Sequence, residues 1–118
     1  MIHQETEYGK ITIESNVYRN IAGLAASNCF GVKGMAARSR TDGLIYLLRK
    51  ESVNKGVAVS FHDDDTITID LHIMVDHGVN IPAVSSSIIN EVSYHVTKST
   101  GTKVKAVNVH VDSVMVEV

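Results

Sequence analysis

The stretch TITIDLHIMV, Thr66–Val75, decides the fold of this chain. Its apolar residues recur at every second position, and this set is Ile67, Ile69, Leu71, Ile73 and Val75. Because successive side chains of a β-strand point to opposite faces, the pattern predicts a strand with one face against a core and the other near solvent. A strand of this kind is typical of a sheet that contains antiparallel pairs.

The segments around this strand predict its neighbours. Val57–Phe61 alternates in the same way and connects to the central strand through the polar link His62–Asp65, which predicts a β-hairpin. Apolar residues three and four positions apart predict amphipathic helices over Asn16–Asn28 and from Asn80 to about Thr100. In the second helix, Asn80 suits the N-cap.

Shorter patterns complete the predicted fold. Gly9–Ile13 and Val104–Val111 alternate as strands, and a change of parity at Asp112–Ser113 indicates a β-bulge or a tight turn. Cys29–Met35 is predicted as a turn, and Gly43–Glu51 as a short helix, although so brief a run also suits a strand. The predicted class is α+β: a two-layer sandwich with a mixed or antiparallel sheet of about four strands, and two long helices and one short helix on one face.

Length and composition fit one small domain. The 118 residues are 44% hydrophobic and 20% charged, which predicts a single domain over residues 1–118. The net charge of −2 gives no general attraction to nucleic acid or to anionic membranes. A single cysteine, Cys29, allows no internal disulfide and fits a reducing cytoplasm. The polar start, Met1–Glu7, lacks a signal-peptide pattern and is expected to be loosely ordered.

Five segments together resemble the alkaline shock protein family, small cytosolic proteins of the envelope stress response in Gram-positive bacteria. They are YGKITIESNVYRNIAGLAA (8–26), FGVKGMAAR (30–38), GLIYLLRKESVNKGVAVSF (43–61), TITIDLHIMVDHGVNIPAV (66–84) and STGTKVKAVNVHVDSV (99–114). The order and spacing of the GVxGM turn, the KGVxV strand start, the HG after the central strand and the TGxxV turn carry the resemblance. It runs from about residue 8 to residue 118 and fits the minimal, single-domain type.

The resemblance implies a non-enzymatic protein with a role in cell-envelope homeostasis. Some family members lie at the membrane through a separate anchor protein and form assemblies. The implied protein is therefore a cytoplasmic homo-oligomer, peripheral at the inner face of the membrane through a membrane-anchored protein partner, without inserting itself and without binding nucleic acid. The minimal type is similar to proteins encoded beside a fatty acid kinase-like gene, which points to lipid metabolism. No catalytic residue and no cofactor is implied.

Three histidines fall on the polar side of the predicted strands: His62, His72 and His110. If the strands are neighbours, the imidazoles could converge as metal ligands. The three lie far apart in the sequence, and no HxH or HxxxH pair occurs. We therefore favour a polar sheet face, covered by another subunit, over a metal site.

Basic residues concentrate in one stretch of the chain. Five of its eleven lysines and arginines lie there, against two acidic residues, and they are Arg38, Arg40, Arg49, Lys50 and Lys55. This excess is the candidate contact for an anionic partner, either a phospholipid surface or an acidic protein. A solvated loop face is the alternative, and composition alone favours it.

Two features predict self-association. No predicted helix is left to cover the outer sheet face that carries His72 and His110, and the tail with Val114, Val116 and Val118 forms a hydrophobic strand without Pro or Lys to protect it. Uncovered strands invite pairing with a second copy. The leading hypothesis is a self-associating scaffold or adaptor. The alternatives are a small nucleic-acid-binding module, which the charge and the 5% aromatic content disfavour, and a small-ligand or metal-binding protein, which lacks a compact motif here.

Overall fold

The computed structural model describes residues 1–38 and 43–116, apart from the side chains of Lys50 and Glu51. In chain order its elements are β1 (Ile2–Thr6), β2 (Gly9–Ile13), α1 (Ser15–Ser27), β3 (Val32–Arg38), β4 (Ile45–Leu47), a 3₁₀ segment (Lys50–Gly56), β5 (Val57–Phe61), β6 (Thr66–Asp76), α2 (Ile81–Thr100) and β7 (Lys103–Met115).

The central strand β6 forms as the alternation predicts. Its five apolar side chains, from Ile67 to Val75, are fully buried. On one edge it pairs with β7 in parallel along its whole length. On the other edge it pairs antiparallel with β5 over its first half and with β3 over its second half, and β3 in turn pairs with β4. The result is a mixed sheet of five strands among the described residues, which confirms the α+β class.

Both helices cover the same face of this sheet. From α2 the row Val84, Ile88, Val92 and Val96 enters the core, and from α1 the buried apolar residues are Tyr18, Ala22 and Ala26. The ends of α2 follow from its sequence. The Asn80 side chain accepts a hydrogen bond from the Ala83 N–H at 3.1 Å, and Gly101 ends the helix in a left-handed conformation with φ of 73°.

The N-terminal residues are ordered, contrary to the expectation for Met1–Glu7. Strand β1 pairs antiparallel with β2 in a separate two-stranded sheet. This hairpin is tied to the domain because Ile2 is buried in the core and Gln4 Nε2 donates a hydrogen bond to the Thr100 carbonyl at 2.8 Å. A polar strand of this kind draws its order from pairing and docking, which leave little periodicity in the sequence.

The segment between the first helix and the β5–β6 hairpin also differs from the prediction. The predicted short helix over Gly43–Glu51 is wrong: Ile45–Leu47 is strand β4, and helical geometry lies later, in the 3₁₀ segment Lys50–Gly56, which is kinked at Ser52. Most of the predicted turn at Cys29–Met35 belongs to strand β3. The Leu48 N–H donates to the Met35 carbonyl at 2.8 Å, so pairing with β3 rather than local periodicity shapes this segment.

Candidate functional site: the outer face of the sheet

The sheet face that points away from the helices carries a row of polar side chains on β6 and β7. The parallel register places Asp70 beside Asn108 and His72 beside His110. The two imidazole rings stack with their centroids 4.7 Å apart and their planes 14° from parallel. The strand order thus brings together two of the histidines that the sequence predicted for this face.

Each stacked histidine is bound to a carboxylate. His72 Nδ1 donates to Asp112 Oδ2 at 3.0 Å, and His110 Nε2 donates to Asp70 Oδ1 at 3.2 Å. Asn108 Nδ2 also donates to Asp70 Oδ1, at 3.0 Å. The hydrogen bond from His110, followed by that from Asn108, lowers the pKa of Asp70 below its ordinary value.

Asp112, which binds His72, lies in a β-bulge of β7. The register of β6 and β7 shifts between Ile73–Val111 and Met74–Ser113, which leaves Asp112 as the extra residue. This is the place where the sequence changes parity, so the predicted bulge is confirmed. From the bulge onward the side chains of β7 follow the opposite alternation, while Asp112 keeps the outer face that it shares with His110.

The candidate metal ligands do not form one cluster. His62 lies at the end of the β5–β6 hairpin, where its Nε2 is hydrogen bonded to Thr68 Oγ1 at 2.7 Å. Within residues 1–38 and 43–116, no three His, Cys, Asp or Glu side chains are grouped so that they could hold a metal ion. The outer face is therefore a hydrogen-bonded polar surface with two histidine–aspartate pairs.

Next to His72 the outer face opens into a cavity of about 680 Å³. Its polar lining comes from Arg19, Arg38, Tyr46, Lys55, His72 and Asp112. Two members of the predicted basic set, Arg38 and Lys55, thus meet in one cavity. Arg49 is exposed but does not line it. Arg40 and the side chain of Lys50 lie outside the described residues.

The sequence analysis missed Arg19, Tyr46 and Asp112 as members of this site. Arg19 belongs to α1, on the other side of the sheet, and its Nε donates to the carbonyls of Asn54 at 3.2 Å and Val57 at 3.1 Å. Those carbonyls lie at the gap between β3 and β5, so the guanidinium reaches the outer face through this gap. No sequence signal could have placed it there, since the placement depends on how the strands end.

Strand β7 forms one edge of the sheet. Within the described part of the chain it pairs with β6 only, which leaves its other side unpaired over 13 residues. Val114 is 38% exposed and Val116 is 63% exposed. Val118, the third member of the predicted self-association strand, lies outside the described residues.

Cys29 lies away from this face, between the helices. Its thiol donates to the Ala25 carbonyl at 3.4 Å. Burial raises the pKa of the Cys29 thiol, and the nearby carboxylate of Glu91 raises it further. Both effects disfavour the reactive thiolate, so this cysteine belongs with inert structural ones.

Among the residues that the structure describes, no helix has the length and apolar character needed to cross a membrane.

The fold is similar to that of a manganese form of the MamM CTD, with a TM-score of 0.51, 16% sequence identity, and coverage of 85% of this chain and 99% of that one. An identity this low shows a common fold and no more.

Two proteins of Bacillus subtilis (strain 168) are similar in sequence over almost the whole chain. The uncharacterized protein YloU is 38% identical over 116 residues, which cover 98% of this chain and 96% of YloU. The uncharacterized protein YqhY is 35% identical over 111 residues, which cover 94% of this chain and 81% of YqhY. The sequence model of the alkaline shock protein 23 family, described as having a cell envelope-related function, matches residues 3–116. The chain belongs to this family, as its motifs indicated.

Proposed function

We propose that this protein is a non-enzymatic adaptor of the cell envelope that works by binding a second copy of itself. It acts from the cytoplasmic side and reaches the membrane through a membrane-anchored protein partner, in support of envelope homeostasis and lipid metabolism. The family's envelope-related function supports the setting. The observation that carries the self-association is strand β7, which exposes both its edge and its outer face.

The unpaired edge of β7 supports pairing with another chain. Its first residues include Lys103 and Lys105, a kind of charge that discourages strand addition, whereas Val107–Met115 contains no lysine and no proline. The second half of the edge is therefore the part that a second copy can extend. A two-fold symmetric pair is the commonest arrangement for such an interface.

The outer face supports the second mode of association. The stacked rings of His72 and His110 are 42% and 47% exposed, and they form a flat, weakly charged surface with their carboxylate partners. Both helices lie on the opposite side of the sheet, and in the described residues the two rings stay partly exposed. Flat surfaces built from aromatic rings and satisfied polar groups suit protein interfaces.

Multi-angle light scattering at high micromolar concentration tests the proposal. The intact chain should have a mass above that of one protomer. Removal of Met115–Val118 should dissociate it if the edge pairs, and His72→Glu with His110→Glu should do so if the face pairs. The matched control is His3→Glu with His77→Glu, which makes the same charge change at exposed histidines away from this face.

Circular dichroism should show that every variant is folded. A mass equal to one chain for the intact protein would refute the self-associating function. Equal dissociation by the control pair would assign the effect to net charge rather than to the outer face.

A further inference from the structure

The cavity beside His72 exists because two strands share one edge of β6. Strand β5 pairs with Ile67–Leu71 and β3 pairs with Ile73–Val75, so the two strands meet end to end opposite His72. Gly56 occupies the junction: a Cβ added there would lie 3.0 Å from the Ala36 carbonyl oxygen and 3.2 Å from that of His72. Arg38, at the end of β3, and Lys55, next to Gly56 in the 3₁₀ segment, both line the cavity at this junction.

The lining of this cavity is positively charged, whereas the whole chain has a negative net charge. The protein carries a net charge of −2, yet among the side chains that the structure describes the cavity is lined by the cations Arg19, Arg38 and Lys55 and by one carboxylate, Asp112. That carboxylate already accepts a hydrogen bond from His72. The lining therefore favours a ligand with two negative charges.

The guanidinium of Arg19 is held in place before any ligand arrives. Its Nε donates to two backbone carbonyls, those of Asn54 and Val57. A guanidinium has five N–H donors, and these two bonds both use the same one, the Nε–H. Arg38 is anchored in a similar way, since its Nη1 donates to the Gly43 carbonyl at 2.9 Å. Fixed guanidinium groups lose little conformational entropy when they bind an anion.

We propose that this cavity binds the phosphate group of a phosphate monoester. Such a group is close to doubly charged at neutral pH, and guanidinium groups match its oxygens with paired hydrogen bonds. The cavity volume of about 680 Å³ is far larger than one phosphate and lies within the usual range for organic ligands. The side chains of Ala37 and Tyr46 supply the wall for the organic part. The ligand is a free phosphorylated metabolite or a phosphomonoester lipid headgroup, which present the same chemistry.

Calorimetric titration of the intact chain with glycerol 3-phosphate tests the site, with glycerol as the uncharged comparison. Arg38→Gln and Lys55→Gln should each weaken binding roughly 10- to 100-fold, as the loss of a hydrogen bond to a charged group does. Arg49→Gln is the matched control, because it removes the same charge from an exposed arginine outside the cavity. Arg49→Gln should change the affinity less than about twofold, since solvent and salt screen the interaction between an exposed charge and a ligand in the cavity.

A second arm distinguishes the two sources of the phosphate. Vesicles that contain phosphatidic acid are compared with vesicles of phosphatidylcholine alone. Binding to the first kind of vesicle that weakens with Lys55→Gln supports the site with a lipid headgroup as its ligand, and binding of glycerol 3-phosphate alone supports it with a free metabolite.

The proposal fails if neither phosphate probe binds at millimolar concentration. It also fails if Arg49→Gln weakens binding as much as Lys55→Gln does, or if oligoglutamate displaces glycerol 3-phosphate at equal charge concentration. Arg38→Gln removes the bond to Gly43, so its fold is checked by urea denaturation. Lys55→Gln alone decides the result if Arg38→Gln is unfolded. Each of these outcomes is read from ligand binding and not from the mass of the assembly, so the site and the self-association are tested by different measurements.

Discussion

Replacement of Gly56 by alanine tests whether the junction of β3, β5 and β6 is as tightly packed as its geometry indicates. The new Cβ would lie 3.0 Å from the Ala36 carbonyl oxygen, 3.1 Å from Met35 Cβ and 3.2 Å from the His72 carbonyl oxygen. Two of these three neighbours are backbone atoms in paired strands, so they cannot rotate away as a flexible side chain would. The strands must separate by a few tenths of an ångström.

Two opposing effects set the size of the change. Overpacking of a filled interior costs about 1–3 kcal/mol. Alanine also restricts the unfolded chain, which stabilises the folded state by about 0.4–1 kcal/mol. Gly56 does not have a positive φ, so no backbone strain is added. We expect the free energy of unfolding to fall by about 1–2 kcal/mol.

The assay is urea denaturation followed by circular dichroism, with the midpoint compared at an unchanged m-value. Gly9→Ala is the control, because a Cβ at Gly9 would meet nothing within 4 Å and its φ is not positive either. Gly9→Ala should leave the midpoint unchanged or raise it slightly. If Gly56→Ala is as stable as Gly9→Ala, the junction accommodates a methyl group without cost. The strands are then not tightly packed there, and the account of how the cavity is held open is wrong.

Two further predictions concern the two faces of β6. Leu71→Asp should lower the free energy of unfolding by at least about 4 kcal/mol, because it buries an unpaired charge at a fully enclosed position. Thr68→Asp on the outer face should cost about 1 kcal/mol or less in the same urea assay, and equal effects would contradict the assignment of faces. Because the pKa of Asp70 is lowered, its carboxylate stabilises the fold above its ordinary pKa of about 4 and loses that contribution as the pH falls through the lowered value. The stability difference between the wild type and Asp70→Asn should therefore shrink on acidification below about pH 4, and a difference that is constant with pH would refute the role of the His110 bond.

The correctly predicted elements are those in which the order of apolar and polar residues follows directly from the geometry of the element. Strand β6 alternates because one of its faces is buried and the other is not, and α2 has both its apolar row and its caps. The β5–β6 hairpin follows from two alternating strands joined by a short polar link. In α1 the prediction was less accurate. The apolar pattern over Asn16–Asn28 includes Val17 and Leu24, which are each 43% exposed, and the small residues Ala22 and Ala26, which are fully buried. Small residues let a helix approach closely, and a simple apolar stripe does not show which side does so.

Strand β3 was missed for a different reason. Gly34 and Met35, which point to opposite faces, are both buried, so the strand has no alternation of apolar and polar residues to detect. Gly34 fits because a Cβ there would lie 2.9 Å from Leu47 Cδ1, in the neighbouring strand β4. The pairing of β3 with β4 thus explains both the glycine and the failure of the helix prediction for the segment that contains Leu47. The cavity depends on the same pairing, so its three cations could not have been grouped from the sequence.

One extra residue in β7, Asp112, lies between the exposed end of the sheet edge and the cavity wall. Without the bulge, strict alternation from His110 would place Asp112 and Val114 on the same face. With Asp112 as the extra residue, Val114 pairs with Val75 and follows the core side of the sheet, and Asp112 is left to bind His72 from the outer side. The bulge therefore determines the exposed end of the sheet edge, and Asp112 within it holds the imidazole at the cavity wall. A second copy that extends the edge of β7 past Val111 has to accommodate the bulge. That pairing would act on Asp112, and through its hydrogen bond on His72, which gives a direct physical route by which assembly and occupancy of the cavity influence each other.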